Sequence, residues 1–183
     1  MRIRQRQRIG AAFSLALGIL WLVAAAPVPR QAPAFGFADP DGKRVQLASF
    51  KGKVVVVEFL LTRCPHCWRL AQTLGKLGRE LGPRGFEPVG VAFDTDISGP
   101  RLAQFAALSR VTFTVGSATA ESVDRFLGRA GNERFQVPQL VVVDRAGVIR
   151  AQSSPVGETN LEDEASLRRL IGTLLEAAPP AAR

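Results

Sequence analysis

The sequence predicts an α/β domain: a central mixed β-sheet flanked by helices on both faces, with an N-terminal β extension. Three observations carry this. Residues 54–61 form a nearly continuous apolar run rich in β-branched side chains, broken only by Glu58, and read as a strand buried on both faces. Two cysteines follow at once. From Pro65 the apolar positions Trp68, Leu70, Ala71, Leu74, Leu77 and Leu81 then recur at helical spacing, so the strand passes through a short loop into a helix. Further on, 139–143 is another apolar strand, which Asp144-Arg145-Ala146-Gly147 turns back into 148–153 as an antiparallel hairpin. A βαβ unit followed by a hairpin and a last helix requires a mixed sheet.

The remaining elements follow from local signals. Residues 27–33 read as a Pro-rich linker. Asp39-Pro40-Asp41-Gly42 is a turn, after which Arg44, Val45, Gln46 and Leu47 alternate, and 49–53 turn again. Gly75 and Gly78 weaken the helix expected over 65–81. Residues 86–93 read as a strand ending in Asp94-Thr95-Asp96, and 100–108 as a short helix with Pro100 near its start, where proline is tolerated. Residues 113–115 are extended, and 120–127 form a helix closed by Gly128. The final helix, 161–177, gathers Leu167, Leu170, Ile171, Leu174 and Leu175 on one face. The domain therefore spans 34–178, with a flexible Pro/Ala-rich tail at 179–183.

The chain has 183 residues and a formal charge of +8, but Arg2, Arg4, Arg6 and Arg8 carry half of that charge before any apolar segment begins. No Lys/Arg cluster interleaves with aromatics and no finger-like Cys/His spacing occurs, so nucleic acid is not an expected partner. The arginines precede an uncharged run from Ile9 to Ala26. As a helix it would span about 27 Å, close to the hydrocarbon thickness of a bilayer. Two readings of 1–26 stand: a signal peptide cleaved near Ala24–Ala26, or an uncleaved N-terminal membrane anchor. Both place the rest of the chain outside the cytoplasm, in the periplasm or on the outer face of the cytoplasmic membrane.

In that compartment a disulfide is permitted. Yet a Cys64–Cys67 bridge closes too short a loop to stabilise a fold usefully, so the pair is better explained by chemistry. Zinc would need two further ligands, and His66 is the only histidine of the chain. Neither a metal nor a cofactor is expected beyond the redox-active pair itself. Thiol–disulfide exchange needs an exposed thiolate and a second thiol near enough to resolve the mixed disulfide. Cys64 falls at the helix N-terminus, where unpaired N–H groups and the dipole favour an anion, so it is the expected nucleophile. Cys67, one turn further in, is the expected resolver. Pro65 fits the first turn without losing a hydrogen bond. His66 either lends partial positive charge to Cys64 or is a solvated loop residue. Glu58 is either an inward charge that reaches water at a strand end, or a carboxyl of raised pKa that takes the proton of Cys67. Pro138 either starts an edge strand or follows a cis bond. The second would set the Val137 backbone beside the cysteines to pair with a peptide.

Taken with Pro33-Ala34-Phe35, Asp41-Gly42-Lys43, Phe50-Lys51-Gly52-Lys53, Phe135-Gln136-Val137-Pro138 and Val143-Asp144-Arg145-Ala146-Gly147-Val148-Ile149, the Cys64-Pro65-His66-Cys67 motif resembles the thioredoxin superfamily. Within it the chain is most similar to the membrane-tethered, extracytoplasmic branch typified by TlpA and ResA proteins. The resemblance implies a thioredoxin-like fold and thiol–disulfide oxidoreductase activity. It makes Cys64 the attacking cysteine, Cys67 the resolving one, Glu58 the buried acid beneath them and Pro138 the cis-proline. The partners it implies are thiols of exported proteins or apocytochromes and a membrane redox protein. Three departures stand out: Arg63 replaces the tryptophan common before the first cysteine, no glycine precedes Val137-Pro138, and Pro65-His66 is the dipeptide of the oxidant DsbA. With Val137 and Pro65, Arg63 is an expected substrate contact. The scaffold suggests a reductant, whereas the dipeptide suggests oxidation.

Two rivals remain. A peroxiredoxin-like peroxidase would carry proline seven and threonine three residues before its reactive cysteine, where this chain has Val57 and Leu61. A Cu(I)-binding protein of the Sco type would have three residues between its cysteines and a distant histidine.

Overall fold

Strand β4 (Val54–Leu60) is buried at all seven positions and organises the molecule. The computed structural model describes residues 27–129, 136–153 and 160–177. Within them the sheet has eight strands in the order β1-β8-β7-β4-β5-β6-β2-β3. These are β1 (Arg30–Gln31), β2 (Gly36–Ala38), β3 (Arg44–Gln46), β5 (Phe86–Ala92), β6 (Thr114–Ser117), β7 (Gln139–Val143) and β8 (Val148–Gln152). β4 runs parallel to β5 and antiparallel to β7, and β5 runs parallel to β6, so the sheet is mixed as expected. The turn at Asp39–Gly42 joins β2 to β3 in the anticipated N-terminal extension.

Helices α1 (Pro65–Leu81), α2 (Gly99–Ser109), α3 (Ala120–Leu127) and α4 (Glu164–Glu176) cover both faces. Alternation along β4 divides the core. Val55, Val57 and Phe59 pack with Phe126 and Leu127 of α3 and with Phe35 and Phe37 of the extension. Phe35 meets Phe59 edge-on at 5.6 Å and Phe126 at 4.8 Å. Val54 and Val56 face Leu70, Leu74 and Leu77 of α1 and Leu167 and Ile171 of α4. Leu60 meets Cys67 and Ala71 of α1 and Phe105 of α2. Glu58 stands in this second row, between Val56 and Leu60.

Several boundaries differ from the sequence expectation. Inside the segment read as a linker, Arg30–Gln31 pairs with β8. The Arg30 guanidinium fastens it by donating to Gln152 Oε1 at 2.8 Å and to the Phe126 carbonyl at 3.2 Å. These partners lie about a hundred residues away, beyond the reach of local pattern. α4 starts at Glu164 because the Asp163 carboxylate accepts the Ser166 N–H at 2.8 Å, a cap that ends the turn holding buried Leu161. β6 runs on to Ser117, whose neighbour strand β2 is likewise remote in sequence. α1 runs unbroken through both glycines. At Gly78 a Cβ would stand 3.0 Å from Pro88 Cγ, so glycine lets the helix lie close on β5.

Among the described residues no helix is long and apolar enough to cross a membrane. The expected leader or anchor at 1–26 and the tail at 179–183 lie outside the described residues, as does Phe135.

Two glycines test this packing in opposite directions. A Cβ on Gly116 would overlap the Ala38 carbonyl oxygen and the Phe37 ring, whereas Gly172 in α4 has nothing within 4 Å. Urea unfolding is expected to show Gly116→Ala less stable by about 1–3 kcal/mol. Gly172→Ala is expected to be more stable by about 0.5–1 kcal/mol, the helix-propensity gain.

Candidate active site

β4 ends at Leu60, and the chain must turn immediately into α1. Asp94, just beyond β5, holds the turn. Its carboxylate accepts the Thr62 N–H at 3.0 Å and the Thr62 hydroxyl at 2.9 Å. The Thr62 carbonyl accepts the indole N–H of Trp68 at 2.8 Å, tying the loop to the first turn of α1. The Cys64 N–H reaches the Leu61 carbonyl at 3.0 Å. These bonds leave Cys64 as the N-cap of α1, with φ −86° and ψ 115°. Pro65 follows at the first helical position, where its missing N–H costs nothing.

The two thiols are unbonded and unlike. Cys64 is half-buried, and its Sγ accepts the Cys67 N–H at 3.4 Å in the place a capping oxygen would take. Cys67 is fully buried beside Leu60 and Ala71. Burial pushes the Cys67 thiol far above the ordinary thiol range. Its hydrogen bond to Cys64 and the negative charges of Glu58 and Cys64 push the same way, and a backbone bond at Leu61 only partly opposes them. Cys67 therefore keeps its proton in the resting pair.

Glu58 decides between the two sequence readings. It is fully buried, pairs in register with Gly90 and Leu140, and does not reach water. Neither carboxyl oxygen has a hydrogen-bond partner. Burial holds its pKa well above the usual carboxylate range, and the charges of Cys64 and Glu162 add to this. A protonated carboxyl is thus stored on the sheet face that carries α1, within electrostatic reach of both cysteines.

The Val137–Pro138 bond is cis. Pro138 is buried, and Val137 packs against the cluster containing Leu60 and Cys67. Among the described residues no backbone–backbone hydrogen bond engages Val137. The structure thus gathers Cys64, Cys67, Glu58 and the Val137–Pro138 turn at the end of β4. His66, in the same turn, is exposed and has no hydrogen bond or ion pair among the described residues. Pro65 is exposed too. Arg63 is 76% exposed and stands 3.6 Å from Asp96, a carboxylate that Arg101 also pairs with, so its charge is shared away from the dithiol. Asp94, Asp96, Arg101 and the Trp68 indole carried no sequence signal of their own, since each acts through a partner on another element. No group of three or more metal-ligating side chains assembles among the described residues.

Residues 28–152 match the AhpC/TSA family. The chain belongs to that family. Chloroplastic peroxiredoxin Q of Suaeda salsa is 31% identical over 121 residues, covering 64% of this chain and 55% of that protein. Peroxiredoxin Q of Populus jackii gives the same figures, and the chain spans about half the length of the curated relatives it matches. Among solved structures, a thiol:disulfide interchange protein of the thioredoxin family from Chlorobium tepidum TLS is 26% identical with a TM-score of 0.65, covering 82% of this chain and 99% of that one. A thiol:disulfide interchange protein from Bacteroides sp. shares the fold at 21% identity and a TM-score of 0.67, over 87% of this chain and 97% of the other. This AhpC/TSA member has the thioredoxin fold expected from its dithiol motif and sheet order.

The buried acid has a pH signature. Glu58 is raised above the ordinary value of 4.5, so above that pH the native state keeps a proton that the unfolded chain releases. The Glu58 contribution to stability is fully present below pH 4.5 and falls as pH rises toward the folded-state value, by at most about 1.4 kcal/mol per pH unit. Glu58→Gln removes this titration. Urea unfolding of both proteins between pH 4 and 8 is expected to show the variant gaining on the parent as pH rises. A constant difference would mean that Glu58 ionises as freely folded as unfolded.

Proposed function

We propose that the protein is an extracytoplasmic thiol–disulfide oxidoreductase acting on cysteines of exported proteins. The single observation that carries this reading is the asymmetric pair itself: an accessible Cys64 sulfur at a helix N-terminus, next to a buried Cys67 thiol over an unpartnered carboxyl. In the reducing direction the Cys64 thiolate attacks one sulfur of a substrate disulfide. A mixed disulfide forms, and the other substrate sulfur leaves as a thiolate. Cys67 then gives up its proton and attacks the Cys64 sulfur. The Cys64–Cys67 disulfide forms and the second substrate sulfur departs with its electron pair. Glu58, neutral at rest, gives its proton to the departing substrate thiolate of the first step, and as the carboxylate it then accepts the Cys67 proton. Oxidation of a dithiol substrate is the same path reversed. The Val137 backbone, beside the pair, presents the incoming peptide as a short strand. A membrane redox protein of the same compartment resets the pair, and no other cofactor takes part.

The likeness to peroxiredoxin Q supports a second reading, in which Cys64 attacks a peroxide, releases an alkoxide or hydroxide, and condenses with Cys67 with loss of water. The site favours it less. Val57 and Leu61 stand at the positions of the peroxiredoxin proline and threonine, and the Thr62 hydroxyl is spent on Asp94 rather than aimed at Cys64.

Cys64→Ser is expected to abolish exchange, while Cys67→Ser accumulates mixed disulfides that survive non-reducing gel electrophoresis. Equal residual turnover in the two variants would sink the assignment. Stopped-flow kinetics of Glu58→Gln are expected to show resolution slowed about 10- to 100-fold and initial attack nearly unchanged. Peroxide consumption faster than disulfide exchange would favour the second reading. Titration against glutathione is expected to give a potential more oxidising than the roughly −270 mV of thioredoxin, because the helix N-terminus at Cys64 favours a thiolate.

A further inference from the structure

Beside the dithiol, between α1 and α2, lies an open cavity of about 290 Å³. Trp68, Phe105 and Leu108 form its apolar wall, and Arg63, Arg101 and Gln104 its polar rim. It begins at Arg63, one residue before the nucleophile. Its wall is preset, because the Trp68 indole is held by the Thr62 carbonyl and Phe105 is fully buried. Leu108, by contrast, is 54% exposed, and among the described residues only Val28 shares its standing as an exposed large hydrophobic. Nothing among the described residues covers it.

The rim has a definite sign. The charged residues lining the cavity are Arg63 and Arg101, which share the carboxylate of Asp96, while Asp94 stands behind Thr62 and accepts its N–H and hydroxyl. Arg101 is the tightly held member, whereas Arg63 is exposed and loosely paired at 3.6 Å, free to turn to another carboxylate. Gln104 adds an amide that can donate to the same group.

We propose that this cavity is a substrate subsite that takes an apolar side chain, with a neighbouring carboxylate, from the polypeptide joined to Cys64 in the mixed disulfide. The proposal rests on the oxidoreductase reading and adds the class of peptide selected. The apolar side chain covers Leu108 and lies against Trp68 and Phe105. The carboxylate pairs with Arg63 and Arg101, the charged residues of the lining. A lysine in its place is repelled. The strand-like contact expected at Val137 fixes the backbone, and this cavity chooses the residues beside the cysteine.

The test uses the reduced full chain and disulfide-linked homodimers of short peptides. Each peptide carries one cysteine flanked by Phe-Glu, Phe-Lys or Ser-Gln, on either its N-terminal or its C-terminal side. Bis(2-hydroxyethyl) disulfide, which is small and uncharged, reports the chemistry without the subsite. In one of the two orientations Phe-Glu is expected to react at least about tenfold faster in kcat/KM than Ser-Gln, the gain typical of one well-placed apolar anchor, with Phe-Lys in between. Leu108→Ser, at an exposed position, is expected to erase the advantage of Phe over Ser. Arg101→Gln is expected to erase that of Glu over Lys. Both variants should reduce bis(2-hydroxyethyl) disulfide at the parent rate. Equal rates for all peptides, or a preference that survives both substitutions, would overturn the subsite. So would a Leu108→Ser effect confined to self-association, read by light scattering, since a second copy would then be the occupant. Failure of every protein to reduce bis(2-hydroxyethyl) disulfide would instead overturn the oxidoreductase reading.

Discussion

The chemistry at the dithiol depends on where β4 ends. The strand is buried on both faces and flanked by β5 and β7, so its register cannot slip by one residue without turning Val55, Val57 and Phe59 toward α1. Fixing that register fixes three other things. Glu58 must point into the α1 face, the chain must leave the sheet after Leu60, and Cys64 must arrive at the start of α1. The capping bond from the Cys67 N–H to Cys64 Sγ then ties the two sulfurs into one helical turn.

A buried carboxyl without a partner is costly to a fold. Its presence in the best-packed strand is therefore an argument about function. The cost is contained because the group stays protonated, and because only one residue of the strand carries it. Cys67 is treated in the same way: buried, kept neutral and placed within electrostatic reach of Glu58. Two neutral acids in one apolar layer can exchange a proton once Glu58 has given up its own, and their burial keeps water from short-circuiting that transfer. Cys64, half-exposed at the helix end, meets the opposite requirement.

Membership of the AhpC/TSA family narrows the chemistry to thiol redox reactions on a thioredoxin fold without choosing among them. The local residues do more of the choosing. Asp94 and Trp68 brace the loop before Cys64 through Thr62, which commits the Thr62 hydroxyl to Asp94. Arg63, read from sequence as charge for Cys64, is drawn toward Asp96 and Arg101 and becomes part of a rim instead.

The sequence by itself determined the elements whose signal is local. β4, α1, α3 and β7 follow from unbroken apolar runs, helical spacing and the closing Gly128. The Cys64-Pro65-His66-Cys67 spacing singled out the candidate pair, and its position after a strand implied which cysteine would be the more buried. Glu58 was conspicuous because an acid in such a run contradicts its surroundings. Tertiary structure alone decided whether that acid reaches water, because the answer lies in Gly90, Leu140 and the helix packed above, not in its neighbours along the chain. It alone paired β1 with β8, through contacts about a hundred residues apart. It also set Arg63 against Asp96 and left the His66 side chain exposed. Adjacency in sequence sets what a side chain can reach, but the partners that compete for it come from other elements, and only the folded chain brings those within range.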